Sequence, residues 1–347
     1  MRTSPERKKS LILIFLLIAA VVSGSALRAA GEPQKKGLGI EFKLSGAIGF
    51  PLNGGGDLET YRQGMVDFYG DIGTLVGFTG NASWKKMRSV PGFEFDVILR
   101  LNERFGVGIG TGYLKASSRG NYGFVYGQAG SESWGTYALS GTATNGEDFS
   151  ISAVPIRLSL YLTFPTGRWN FYGTAGAGLY LGTFARRYSY DFTYDYADSS
   201  PIYLDEKQEI TSSESWDESA KKNSFGFHGG LGVDYKVSSY MSFGLEVFGR
   251  LVNFSGWEGD SQWTTSSRER DWREDAGWHT DQSSTDSGSL RGKVWYYEIQ
   301  DQDLGIYSPQ INMWGAPSGG AYRNARNAAI NLNAFGLAVT LKVYFDF

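Results

Sequence analysis

The chain contains no cysteine, which removes disulfide staples, thiol nucleophiles and cysteine-based metal sites from consideration. Histidine is nearly absent too, with only His228 and His279 in 347 residues, so chemistry that needs an imidazole base has two places to reside. Neither sign of charge dominates: the net charge is −3 and the pI about 5.6, which argues against nucleic acid as a partner. After the first thirty residues no apolar run approaches the length of a membrane-spanning helix. Any residence in a bilayer would have to be through strands.

Glycine and aromatic residues are plentiful. There are 47 glycines, and aromatics make up 15% of the chain. Together with regular alternation this is the composition of an all-β barrel rather than of a helical enzyme. The length suits one large all-β domain or two ordinary ones. At the N-terminus, Arg2, Arg7, Lys8 and Lys9 precede an apolar run from Leu11 to Val22, followed by Ser23, Gly24, Ser25 and Ala26. That order predicts a signal peptide over 1–26, cleaved after Ser25 or Ala26. The apolar run is too short for a helical membrane anchor.

From Leu38 onward the sequence alternates with period two in eight stretches. The first presents Leu38, Ile40, Phe42, Leu44, Gly46, Ile48 and Phe50 on one face, and the last presents Phe335, Leu337, Val339, Leu341, Val343, Phe345 and Phe347. The apolar face carries no charge in any of the eight. Connections alternate between tight turns (Asn102 to Arg104, Pro165 to Arg168, Lys236 to Tyr240) and long segments over 51–92, 116–150, 185–224 and 253–330. Aromatics gather at the strand ends: Phe50, Phe93, Tyr113, Phe184, Phe225 and Phe254 at one level, Phe105, Phe164, Trp169, Tyr235, Phe345 and Phe347 at the other. A soluble β-sandwich would also alternate. The aromatic girdles and the uncharged outer face favour an eight-stranded antiparallel transmembrane β-barrel over 38–347, with short periplasmic turns and long extracellular loops.

This pattern resembles the OmpA/OmpX-type outer-membrane barrels, in arrangement rather than in close sequence. The resemblance implies outer-membrane localisation as a monomer, a periplasmic N-terminal segment over 27–37, contact with outer-membrane lipid and lipopolysaccharide, and insertion by the barrel-assembly machinery. In such proteins a last strand ending in phenylalanine resembles the assembly signal, a role that would fall to Phe345 and Phe347. Lys342 stands where that pattern often has glycine, and no peptidoglycan-binding domain follows, unlike full-length OmpA-like proteins.

The opposite face of the strands carries Glu41, Lys43, Glu94, Asp96, Arg100, Arg157, His228, Asp234, Glu246, Arg250 and Lys342. Mixed signs are expected where buried charges must pair. Folding about Glu103 sets Arg100, Ile98, Asp96 and Glu94 against Gly106, Gly108, Gly110 and Gly112. Folding near Thr166 and Ser238 is expected to set Arg157 beside Gly176, Glu246 beside Gly230 and Arg250 beside Gly226. Charged side chains facing glycine rows predict a filled interior, with a narrow porin-like path for small solutes as the alternative.

Enzymatic activity is not expected, although a hydrolase deserves weighing. His228 has no serine two residues away, and His279 lies near Asp281, Ser283 and Ser284 in a polar stretch where such residues are common. Asp57, Glu59, Asp301 and Asp303 lack the ligand spacing of a dedicated calcium site. No cofactor and no metal is expected. Recognition of a surface ligand is the remaining role, carried by the loop aromatics Tyr190, Tyr194, Trp257, Trp263, Trp272 and Trp278. Packing of the loops against each other is the competing explanation for the same residues.

Overall fold

The computed structural model describes residues 39–52, 55–75, 77–132, 135–200, 204–300 and 306–346. The expected signal peptide, the segment 27–37, Leu38, Asp301, Asp303 and Phe347 lie outside these residues.

Eight strands form a closed, antiparallel, hydrogen-bonded ring. They are β1 (Gly39–Pro51), β3 (Val90–Arg100), β4 (Phe105–Glu132), β5 (Gly135–Thr166), β6 (Trp169–Ser199), β7 (Glu206–Ser238), β8 (Met241–Ser255) and β14 (Ala334–Asp346). Each pairs with the next, β7 with β8, β8 with β14, and β14 with β1 closes the circle. Outward positions expected from the alternation are exposed between buried inward neighbours along most of these strands, as at Leu160 (63% exposed) between Ser159 (2%) and Tyr161 (5%).

The short turns obey local chemistry. The Asn102 side chain accepts hydrogen bonds from the amides of Arg104 and Phe105, at 2.8 and 2.9 Å, an Asx turn that reverses the chain. Gly167, at φ 63°, adopts the left-handed conformation that the next reversal requires.

The register between β3 and β4 is as expected, with Asp96 opposite Gly110 and Glu94 opposite Gly112. Two other registers differ from the expectation by two residues. The turn at Gly167 pivots between that residue and Arg168, so Arg157 faces Gly178 and it is Ser159 that faces Gly176. The turn at Ser239 and Tyr240, with a bulge at Lys236 to Ser238, sets Glu246 opposite Gly232 and Arg250 opposite His228.

The long connections are mostly not loops. β4 to β7 continue past the ring as one curved sheet, joined by β2 (Phe78–Lys85), β9 (Glu258–Arg273), β10 (Gly277–Gln300), β11 (Tyr307–Trp314) and β12 (Tyr322–Asn327), while β13 (Ala329–Asn331) pairs β8. With 31 to 33 residues each, β5 to β7 are about three times the length that would span a bilayer. The fold also contains one helix, α1 (Asp57–Ile72), within the stretch expected to be a loop. Its buried Leu58, Tyr61, Met65, Tyr69 and Ile72 recur at helical spacing. Asp57 and Glu59 in its first turn complement the helix dipole.

The helix packs against β2 and β11. Gly64 brings its backbone against Pro309, where an added Cβ would lie 2.9 Å from the ring carbon Cγ. At its start, the Asp57 carboxylate accepts from Arg326 Nη2 (2.6 Å) and from the Ala329 amide (2.7 Å). Beside it Gly56 bridges Ile330, and the Leu52 amide donates to the Asn333 carbonyl at 3.0 Å. The segments that follow β1 and precede β14 are thereby tied together at the long-connection end of their shared seam.

Candidate functional site

The inner face of the strands changes character twice along its length. In β5, ascending from the ring, it runs Arg157, then Ala153, Ile151 and Phe149, then Glu147 and Asn145, all buried. The result is a charged lower layer, an apolar middle layer and a polar upper layer.

The lower layer fills the ring. Five acids (Glu41, Glu94, Asp96, Asp234, Glu246) meet five bases (Lys43, Arg100, Arg157, Arg250, Lys342), all of them expected from the sequence to point inward. Lys43 pairs with Glu246, and Glu94 bridges Arg157 and Arg250. Arg157 also reaches Asp96 at 2.9 Å, while Lys342 holds Asp234 at 2.6 Å and Glu41 at 3.3 Å. Arg100 lies 5.3 Å from the centroid of the Tyr344 ring. The glycine rows make room for this: a Cβ on Gly110 would collide with the Asp96 carboxylate, and one on Gly230 would lie 2.5 Å from Glu246 Oε1. Glu246 thus covers Gly230 diagonally, although its direct partner is Gly232.

His228 meets a serine that sequence distance concealed. Ser159 Oγ lies 2.8 Å from its Nε2. Its Nδ1 has no partner among the described residues, so no acid orients the ring as in a catalytic triad. Around His279, Asp281 is held by Arg268 at 2.6 and 2.8 Å, and Ser284 by Ser267 at 2.8 Å, while His279 itself is exposed. Asp57 and Glu59 are engaged with Arg326 and Arg62. Among the described residues no cluster of three or more side chains could hold a metal ion.

The middle layer is one buried apolar cluster. It joins Val90, Leu114, Ile151, Val252 and Ala334 from the strands to Leu332 between β13 and β14, to Leu58 of α1 and to Met87. Phe184, Phe254 and Trp257 belong to it, each 0% exposed. Three expectations are corrected here. Phe184 and Phe254 are not in an outward girdle, because they point to the inner face, where α1 and the strands beyond the ring, together a cap, cover them. Trp257 does not present a recognising surface; it packs on Phe254 and Phe184, with centroids at 5.0 and 6.0 Å. The other loop aromatics sit higher. Tyr190 and Tyr194 are half-buried on the concave face, Trp263 stacks on Trp216 at 6.0 Å, and Lys207 lies 4.8 Å over Trp272. Trp278 is 42% exposed, with Arg270 at 3.9 Å from its centroid.

Sequence inspection missed the upper layer. Arg186 is buried between Glu147 and Glu218. Glu147 accepts from the hydroxyls of Tyr61 (2.5 Å) and Tyr122 (2.9 Å), and Glu218 accepts from the Met313 amide at 3.0 Å. Burial, reinforced by the Glu147 charge, pushes both tyrosine hydroxyls well above their ordinary range, so they remain donors. Burial likewise raises Glu218, against the opposing pull of Arg186. Tyr69 and Tyr188 are tied through Asn145, which donates to the first at 3.1 Å and accepts from the second at 2.7 Å. These groups border a cavity of about 230 Å³ between α1, the curved sheet and β11. The aromatic run from Arg186 to Tyr196 was a readable signal, since its even-numbered residues share the inner face.

No protein-family model matches the chain, and no curated protein does. Among solved structures, a Pseudomonas aeruginosa FadL homologue is 10% identical, covering 90% of this chain and 91% of that one, with a TM-score of 0.16. The siderophore receptor PirA from the same organism is 9% identical over 91% of this chain and 81% of that one, with a TM-score of 0.10. The likeness is weak and assigns no family.

Proposed function

We propose that the chain is an outer-membrane β-barrel protein whose interior is plugged, and whose capped long-connection end recognises a ligand at the cell surface. The observation that carries this reading is the outer face of the ring. Leu44, Ile48, Ile109, Leu160, Leu245 and Val339 are each at least half exposed and sit in a face without charge. Exposed apolar surface on this scale is unfavourable in water, and a bilayer accommodates it. The ten interior charges have partners within the ring, and the apolar layer lies between them and the cap. Both features support a plug over a porin-like path. A non-enzymatic role fits the His228–Ser159 pair, whose Nδ1 meets no acid among the described residues.

Reconstitution into planar bilayers tests the proposal. The folded protein should insert, migrate differently before and after boiling in detergent gels, and give almost no conductance. Large steady currents from the unmodified protein would replace the plug with the porin-like alternative. Failure to insert, with a heat-insensitive mobility, would remove the membrane assignment.

A further inference from the structure

The cavity at the polar upper layer has a floor and a mouth. Tyr61, Tyr122, Asn145 and Arg186 are buried at the floor, while Tyr188, Glu214, Trp216, Gln310 and Asn312 are half-buried around the opening. At about 230 Å³ it holds the equivalent of roughly eight water molecules at about 30 Å³ each. That is smaller than the usual drug-sized pocket.

The lining decides what fits. Among the described residues the only cation on the wall, Arg186, is already committed to two carboxylates, Glu147 and Glu218. By formal charge that buried trio has one carboxylate in excess, and Glu214 at the mouth adds another, its contact being with the Trp216 indole N–H. The tyrosine hydroxyls point to Glu147 and Asn145, which leaves their rings as walls. Arg186 lies 5.1 Å from the Tyr188 centroid, so a cation is already held against one of those rings. Finally, Asn312 donates its amide N–H to Tyr297 at 3.0 Å, while its buried Oδ1 has no partner among the described residues. An unpaired buried acceptor costs free energy that a donor would recover. Acceptors, excess negative charge and aromatic walls favour a positively charged ligand with N–H donors. They disfavour phosphate and other anions.

We propose that this cavity binds a small organic cation, a primary ammonium or guanidinium compound of up to about eight non-hydrogen atoms, a size set by the cavity. The ammonium or guanidinium N–H groups donate to Asn312 Oδ1 and the Glu214 carboxylate. The ligand's carbon stem lies along Tyr188 and Trp216. This inference rests on the reading that recognition occurs at the capped end, and it specifies the chemistry there.

Calorimetric titration of the full-length protein in detergent tests it, with 1,4-diaminobutane as the probe and glucose and inorganic phosphate as comparators. Diaminobutane should bind and the comparators should not. Glu214→Gln and Asn312→Leu should each weaken binding by at least tenfold while leaving the unfolding transition in place. Binding of glucose alone would show a neutral polyol site and overturn the assignment, and binding of phosphate would do the same. No binding of any of the three, by protein with the parent's heat-modifiable mobility, would also overturn it. Surface recognition as such would be judged separately, by adhesion of whole cells to ligand arrays with and without the protein.

Discussion

Glu94 is the keystone of the charged interior, and removing its charge gives the sharpest test of that layer. One carboxylate oxygen accepts from Arg157 and the other from Arg250, with side-chain exposures of 13%, 5% and 2% for the three residues. Glu94→Gln preserves shape but leaves five bases facing four acids among largely buried side chains. Breaking a buried pair from one side costs about 3–5 kcal/mol. With a urea slope of about 1–3 kcal/mol per molar, the unfolding midpoint should fall by at least about 1 M. The measurement is tryptophan fluorescence during urea unfolding from lipid vesicles. Adding Arg250→Met restores equal numbers of acids and bases and should recover half or more of the loss. If Glu94→Gln unfolds within about 0.5 kcal/mol of the parent, the scale of an ordinary surface substitution, then pairing of these charges is not what holds the interior.

Four further outcomes are expected. Leu160→Arg and Leu245→Arg, at outward positions 63% and 59% exposed, should each destabilise the bilayer-inserted form by about 2–4 kcal/mol in the same unfolding assay. Trp257→Ala, at 0% exposure, should cost about 3–5 kcal/mol, whereas Trp278→Ala at 42% exposure should be nearly neutral in thermal unfolding. Burial and the neighbouring Glu298 push the Tyr296 hydroxyl from 10.0 up to about 12. The proton is held more tightly in the folded state, so the stability this group contributes is full below pH 10 and declines as pH rises towards 12. Ultraviolet tyrosinate absorbance and unfolding midpoints across that range, compared with Tyr296→Phe, would expose this trend. Asp57→Ala should lower the protection of the Ala329 amide in hydrogen exchange, because that donor loses its acceptor.

The ring was legible because its chemistry repeats every two residues. Phe42 and Lys43, or Leu245 and Glu246, announce outside and inside by composition alone. Register was legible where a side chain fixes the turn, as Asn102 does. It slipped by two residues at Gly167 and near Ser238, where the pivot depends on backbone conformation and a bulge. Ser159 shows a different limit. Its face was readable, but its hydrogen bond to His228 and its 2% exposure leave no room for a larger polar residue. The helix is readable in principle from Leu58, Tyr61, Met65 and Ile72 at their three- and four-residue spacing, but a segment between two strands carries a strong expectation of loop. The upper layer joins Tyr61, Glu147, Arg186, Glu218 and Asn312 from five separate elements. Nothing local marks such a set before the sheet curls. Trp257 misled for a related reason, since a tryptophan in a polar stretch looks alike whether it packs inward or waits for a ligand.

The tie between Asp57 and the 326–329 segment bears on how the ring yields to force. A closed ring has one seam whose two edges are the most distant in sequence, here β1 against β14, over registers from Gly39–Asp346 to Pro51–Ala334. Such a seam parts like a crack, starting at whichever end is least fastened and advancing one pair at a time. The Asp57 contacts, the Gly56–Ile330 bridge and the Leu52–Asn333 hydrogen bond rivet one end. A lateral pull would therefore open the seam from the short-turn end. The crack would have to run the whole ladder before the cap, with its helix and cavity, felt any strain.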